Sequence, residues 1–465
     1  MLLSRSHHTK TKPIEPVFYY GESENEIIEV LSFDNDSIPL KVRELRWKLN
    51  QKAVKEPEFR FYSLYNQIFR ADVIETAWKN VGKRGKAAGI DGVCAEEFLD
   101  NPVKLGEFLA GIRETLTNKT YRADPVLRVY IPKANKGKRP LGIPTLKDRV
   151  VQAATLLILE PIFEADFLEC SHGFRPGKKA HEALEKIQET IKSGRTEVYD
   201  ADLKSYFDTI PHDKLMKCVK MRVVDSSVLK LIESWLKAPI IEKTDDNKRL
   251  PPKANRQGVQ QGGVISPLLS NLYLHWLDKK FHMKTGPFTW ANARLIRYAD
   301  DFVVCANQIS QKLIAWIKQT VEEWLGLTLN PDKTQILSLK KESRLDFLGY
   351  TFRYDRSLFG YKGKYLNVIP ANKSIVKARQ EIHRLTASNL CRLPVEAVVD
   401  RLNTFLLGWK NYFSYGYCKK AYAQLNFYAG GRMLQHLQRK SQRGYKRDDK
   451  SSHYALVRNT GLLYL

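Results

Sequence analysis

From Lys41 to Lys55 charged residues are interleaved with Val42, Leu45, Trp47 and Leu49, a pattern that predicts a helix closed by Glu56-Pro57. A second helix is expected through Leu64, Ile68, Val73, Ile74 and Trp78. Short apolar runs and loops of mixed strand character follow to about residue 350. Beyond Pro370 the spacing turns helical and basic, with Ile375, Ile382 and Leu385 and then Val398 to Trp409, which predicts a largely α-helical C-terminal domain. Residues 1 to 40 stand apart: they open basic and turn acidic at Gly21 to Glu26 and again at Asp34-Asn35-Asp36. They read as a tail or a small added element. Glycine and proline are spread as punctuation, without repeats or low-complexity linkers.

Two strand-like segments in the middle carry candidate chemistry. In Thr196 to Leu203, the residues Tyr199, Ala201 and Leu203 fall on one face, and Val198, Asp200 and Asp202 on the other. Two carboxylates therefore point the same way on a strand whose neighbours are apolar, and a divalent cation would compensate them. An exposed strand end would do so equally well. In Leu295 to Ala306 two apolar runs meet at Asp300-Asp301, predicting a hairpin with charge at its tip. Adjacent aspartates also form plain turns. If this hairpin lies beside the strand bearing Asp202, three carboxylates converge on one point, which suits two metal ions about 3.5–4 Å apart.

Composition narrows the partner. The 465 residues suffice for about three domains, and the apolar share of 43% against 27% charged is an ordinary globular balance. Lysine and arginine number 76 against 51 acids, an excess of +25 that calls for a polyanion. Aromatic residues at 11% suit stacking on single-stranded nucleic acid. No membrane partner is expected, because the apolar stretch Val150 to Phe163 is broken by Gln152 and Glu160 and falls short of roughly 20 residues. The start shows no signal-peptide pattern. Six scattered cysteines form no C-x-x-C pair and the histidines no H-x-x-x-H spacing, so zinc and disulfides lack support and a cytoplasmic setting is expected.

Tyr298-Ala299-Asp300-Asp301, Asp202 to Asp208 with its Tyr206-Phe207 pair, and Gln261-Gly262-Gly263 leading to Ser266-Pro267-Leu268-Leu269 together resemble the reverse transcriptases of bacterial group II introns. Ala88-Gly89-Ile90-Asp91-Gly92, Ile131-Pro132-Lys133, Arg139 to Pro144, His172 to Pro176, Leu329 to Thr334 and Phe347-Leu348-Gly349-Tyr350 extend the likeness, which spans roughly residues 41 to 440. The resemblance implies an α+β right-hand polymerase with an antiparallel palm sheet of the RNA-recognition type, helical fingers elements and an α-helical thumb or maturase domain. Its expected bounds are an extension over 1–40, helices and fingers over 41–190, palm over 191–365, thumb over 366–445 and a tail over 446–465.

By the same resemblance Asp202, Asp300 and Asp301 are the catalytic metal ligands for two Mg²⁺ ions, with Asp200 a neighbour. Phe207 would lie under the incoming sugar and exclude a 2′-hydroxyl, although a core role explains it too. Lys133 and Arg139 would neutralise the triphosphate, Gln261 would stand beside the nucleotide, and Lys333 would act as general acid for pyrophosphate. The lysines and the arginine also read as ordinary surface cations. Position 260 is Gln where the family usually has Pro. The segment Phe405 to Phe413 is similar to the maturase region, and its aromatics alternate with Lys410, Lys419 and Lys420. Lys410, Arg432, Arg439, Lys440 and Arg443 are expected to carry the RNA contact. The implied partners are an RNA template, a DNA or RNA primer, deoxynucleoside triphosphates and a structured intron RNA. A free-standing reverse transcriptase in phage defence or DNA repair is the alternative, and a non-catalytic RNA chaperone is disfavoured by the three aspartates. With no Cys/His cluster after residue 418, no zinc endonuclease is expected.

Overall fold

The apolar stretch around Val150 becomes the spine of the N-terminal half, the helix Leu146–Glu164, capped at its start by the Thr145 side chain. Pro161 lies inside that helix and has no N–H to give to the carbonyl four residues back. Arg46 repairs the gap: its Nη1 donates to the Leu157 carbonyl at 2.7 Å from the packed helix Leu40–Lys55. This computed structural model describes residues 38–82, 87–132, 137–244, 248–341, 343–356, 363–440 and 453–465. Lys133, Arg443 and the extension up to residue 37 lie outside them.

The helix expected from Leu64 to Trp78 is two, Tyr65–Ile68 and Ala71–Gly82. The break lets Asp72 stand in the first turn of the second helix, where it meets the positive end of the dipole and takes Arg70 in a two-pronged pair at 2.7 and 3.1 Å.

Among the described residues the strands are β1 (Val126–Pro132), β2 (Lys138–Ile143), β3 (Glu197–Ala201), β4 (Ile240–Glu242), β5 (Arg294–Tyr298), β6 (Asp301–Ala306), β7 (Gln335–Ser338), β8 (Leu345–Phe347), β9 (Tyr350–Arg356) and β10 (Lys364–Pro370). They form three sheets, ordered β2-β1-β4, β5-β6-β3-β7 and β10-β9-β8. The central four-stranded sheet is antiparallel throughout. Its alternation sorts side chains between two cores. Tyr199, Ala201, Leu295, Phe302 and Val304 face a core shared with the N-terminal helices. Val198, Ile296, Val303 and Cys305 face a second core. That core also takes Leu184 and Ile187 of the helix Ala180–Lys192, the β8–β10 sheet and the C-terminal helices Asn372–Leu385, Val395–Tyr412 and Lys419–Arg439. The fold is thus a mixed one, helical from Asn372 onward as the periodicity predicts. No described helix is long and apolar enough to cross a membrane.

Candidate active site

Strand β3 delivers Asp202 one residue past its last paired position. The register Ala201↔Phe302 brings Asp202 level with Asp301, the first residue of β6. Tyr298 pairs with Asp301 across a two-residue turn made of Ala299 and Asp300, with Ala299 at φ +57°. A non-glycine residue in the left-handed region is uncommon and marks an imposed conformation. Ser205 at φ +49° and Leu348 at φ +48° share it, and Leu348 lines the same cavity as Asp202 and Asp301.

Asp200, Asp202 and Asp301 line one cavity of about 840 Å³ with Lys333, Asp346 and Leu348. The stretch from Thr328 to Thr334 wraps the β3 end: Lys204 N donates to Thr328 O and Asn330 N to Asp202 O, each at 2.8 Å. This places the Lys333 ammonium on both Asp202 oxygens, at 3.0 and 3.1 Å, and the Asn330 amide on Oδ2 at 3.0 Å. Asp200 accepts from Gln335 Nε2 at 3.0 Å. Lost hydration, then the charges of Asp300, Asp202 and Asp200, push the Asp301 carboxyl up to about 6, although the residue as a whole is exposed. Burial also raises Asp300, with Asp202 adding to it while Arg139 lowers it. Arg139 is therefore close enough to act on the acidic turn.

Among the described residues no three His, Cys, Asp or Glu side chains stand close enough to grip an ion as they are. The donor chemistry nonetheless fits one. Carboxylates crowd here until one is held near pH 6, and the cation that neutralises Asp202 is a lysine on an exposed turn, which a divalent ion would displace.

The turn carrying Asp300 is held from behind by residues the sequence reading passed over. Arg297, fully buried, pairs with equally buried Asp278 of the helix Ser266–His282 at 2.5 Å. It also donates to Ala299 O and Asn271 Oδ1, both at 2.9 Å. Asn271 in turn donates to Gly173 O at 2.7 Å. Gly173 sits so close that an added Cβ would lie 2.3 Å from Ala299 N.

The remaining expected residues arrange themselves around this core. Phe207 is half-buried, its ring 5.5 Å edge-on to Tyr206 and its carbonyl accepting from Val259 N at 2.6 Å. Gln261 O accepts from Gly142 N at 2.7 Å, which ties the Gln261 loop to the β1–β2 hairpin carrying Arg139. The loop closes through Gly263 N on Gln260 O at 3.1 Å with Gln at position 260. Leu348 and Gly349 make the β8–β9 turn with φ of +48° and +79°, and Tyr412 Oη donates to Leu348 O at 2.8 Å. Lys410 is half-buried, while Arg439 and Lys440 are exposed. Arg432 departs from the expectation. It is buried, with Nε on Thr386 Oγ1 and Nη2 on Thr386 O, both at 3.1 Å, so its guanidinium is committed to packing one C-terminal helix against another.

Comparison with known proteins gives the family. Residues 131–352 match the family described as reverse transcriptase (RNA-dependent DNA polymerase), and residues 375–454 match the group II intron maturase-specific domain. Protein YkfC of Escherichia coli K12 is 33% identical over 72% of this chain and 93% of its own length. The group II intron-encoded protein LtrA of Lactococcus lactis is 31% identical over 64% of this chain and 57% of its own length. An uncharacterized 91 kDa protein in the cob intron of Schizosaccharomyces pombe is 28% identical over 65% of this chain and 45% of its own.

Proposed function

The chain belongs to the reverse transcriptase family, in the form that carries a group II intron maturase domain, and on that premise we propose how its residues copy RNA into DNA and engage an intron. Asp202, Asp300 and Asp301 hold two Mg²⁺ ions, which when bound would lower the barrier by stabilising charge on the attacking 3′-hydroxyl and on the departing pyrophosphate. The chain's own residues do the rest. Asn330 orients the Asp202 carboxylate, and the buried Arg297 and Asn271 fix the turn from which Asp300 projects. Arg139 offers positive charge to the triphosphate, and Lys133, which lies outside the described residues, is proposed to share that role. Gln261 and its two glycines allow the nucleotide close to the backbone. Phe207 closes the space a 2′-hydroxyl would need. Lys333, already beside a metal ligand, is placed to give a proton to pyrophosphate.

In this reading the central sheet is an RNA-recognition-type palm over 191–365, the segments before it form the fingers, and the region 366–445 forms the thumb and maturase surface, although strand β10 crosses that boundary and the described helices of the region begin at Asn372. Lys410, Arg439 and Lys440 meet a structured intron RNA there, and Arg443, outside the described residues, is proposed for the same role. The substrates are a primed RNA template and deoxynucleoside triphosphates. Six free cysteines among the described residues suit a reducing cytoplasm.

The observation that carries the proposal is the register that levels Asp202 with Asp301 at the mouth of one cavity. Asp300→Ala should abolish DNA synthesis on a primed RNA template in Mg²⁺ while RNA affinity is kept. Undiminished extension by that variant would refute it.

A further inference from the structure

A second cavity, of about 960 Å³, begins where the catalytic one ends: Arg344 lines both, and Asn372 of this one adjoins Lys373 of the other. Its floor is the outer face of the β9–β10 hairpin, where Asn367 stands opposite Arg353 and Tyr365 opposite Asp355. The inner face of the same strands carries Phe352, Leu366 and Val368 into the second core, so the alternation gives one apolar face and one largely polar face. The far wall is the segment from Gly416 to Gln424.

Arg344, Arg353, Arg356, Lys419 and Lys420 line this groove and all five are exposed. Among the described residues Asp355 is its single acid, and that carboxylate is already taken by Arg353 Nε at 3.0 Å and Asn367 Nδ2 at 2.6 Å. Among the described lining residues the other cations have no acid facing them, an arrangement that like-charge repulsion disfavours unless a polyanion lies along it. The groove also offers ring surface. Tyr417, 59% exposed, stands edge-on to Tyr365 at 5.8 Å. Its backbone is pinned, with Tyr417 N donating to Val368 O at 2.8 Å and Gly416 at φ +75° so near that a Cβ there would lie 2.2 Å from Val368 O.

Exposed cations along a channel and a pinned aromatic platform are the two elements with which proteins hold single strands. We infer that this groove binds a single RNA strand continuous with the polymerase cleft, with phosphates on Arg356, Lys419 and Lys420 and a base stacked on Tyr417. The inference rests on the reverse transcriptase reading and deepens it by assigning a particular groove and a single strand to it.

The full-length chain is titrated with a short single-stranded RNA across a salt series, beside primer extension by the same wild-type preparation. Arg356→Ala/Lys419→Ala/Lys420→Ala should flatten the slope of log affinity against log salt by about 2, at about 0.7 per lost contact on a single strand. Tyr417→Ala should weaken binding roughly fivefold or more at an unchanged slope, and Tyr417→Phe should restore it. RNA carrying 4-thiouridine should photocrosslink, on wild type, to the peptide that contains Tyr417. An unchanged slope in the triple variant, crosslinks confined to other peptides, or an equal loss on double-stranded DNA overturns the groove while leaving the polymerase intact. Wild type that binds RNA in this way but extends no primer overturns the polymerase reading instead.

Discussion

Lys333 occupies two roles that compete. Its ammonium now compensates Asp202 at 3.0 Å, the position in which a cation must be displaced when a metal arrives. On the proposed role as general acid, removing it should lower the Mg²⁺ concentration needed for half-maximal activity while also lowering the maximal rate, because the leaving pyrophosphate would lose its proton source. Lys333→Gln tested by primer extension over a Mg²⁺ series should show both changes. A variant with the wild-type Mg²⁺ requirement would mean that the ion pair is incidental. Phe207 is open to an independent test of the same kind. Phe207→Val should raise ribonucleotide incorporation relative to deoxynucleotide in single-nucleotide extension, and an unchanged ratio would assign the ring to the core that it already touches.

At the scale of elements, the acidic turn depends on what stands behind it. Gly173 leaves 2.3 Å between a hypothetical Cβ and Ala299 N, too little for any side chain without moving the turn. Gly173→Ala should therefore cut the extension rate at least tenfold, about 1.4 kcal/mol of transition-state stabilisation, while RNA affinity stays near wild type. Equal loss of rate and of thermal stability would show a general packing defect.

The legibility of these elements from sequence follows their physics. Strand β3 was readable because its alternation places Val198 in one core and Tyr199 in the other, and the β5–β6 hairpin was readable for the same reason. The contact between Lys333 and Asp202 was not, since it depends on the register of β7, and Gln335 and Ile336 there are exposed and carry no pattern. Arg297 was hidden differently. An arginine in an apolar strand gives no sign of its partner when that partner, Asp278, lies on another element and is equally buried. Arg432 could have been found, because it falls at the helical interval from Leu425 and Ala429 to His436, all buried on one face. Reading it as a surface cation gave weight to charge where periodicity should have decided.

Over the whole molecule the net charge of +25 acts on RNA through those cations that remain exposed. Among the expected thumb contacts, Arg439 and Lys440 are exposed and Lys410 is half-buried, whereas Arg432 is used internally. Neutralising Lys410, Arg439 and Lys440 together should flatten the salt slope for a structured intron RNA by about 2 or slightly more. The rate on a short primed template should change little, since these side chains lie outside the catalytic cavity. Arg432→Ala should instead lower the unfolding midpoint, as it leaves Thr386 O without its donor. If the triple variant keeps the wild-type slope, intron RNA docks elsewhere on the molecule.

The central sheet is a party wall between two cores, and this orders events during synthesis. The chain emerging from a ribosome has both catalytic strands of the hairpin by about residue 306, yet Val198, Ile296, Val303 and Cys305 have no complete lining until the segments from Leu339 to Leu437 follow. Each such side chain left in water forfeits roughly 1.5–3 kcal/mol, so the nascent catalytic sheet is held back from maturity by sequence more than a hundred residues downstream. Polymerase and maturase halves therefore do not behave as exchangeable cassettes. A ribosome that stalls before the last helices leaves a sticky fragment without a finished active site, and copying of RNA waits until the RNA-docking half has also been made.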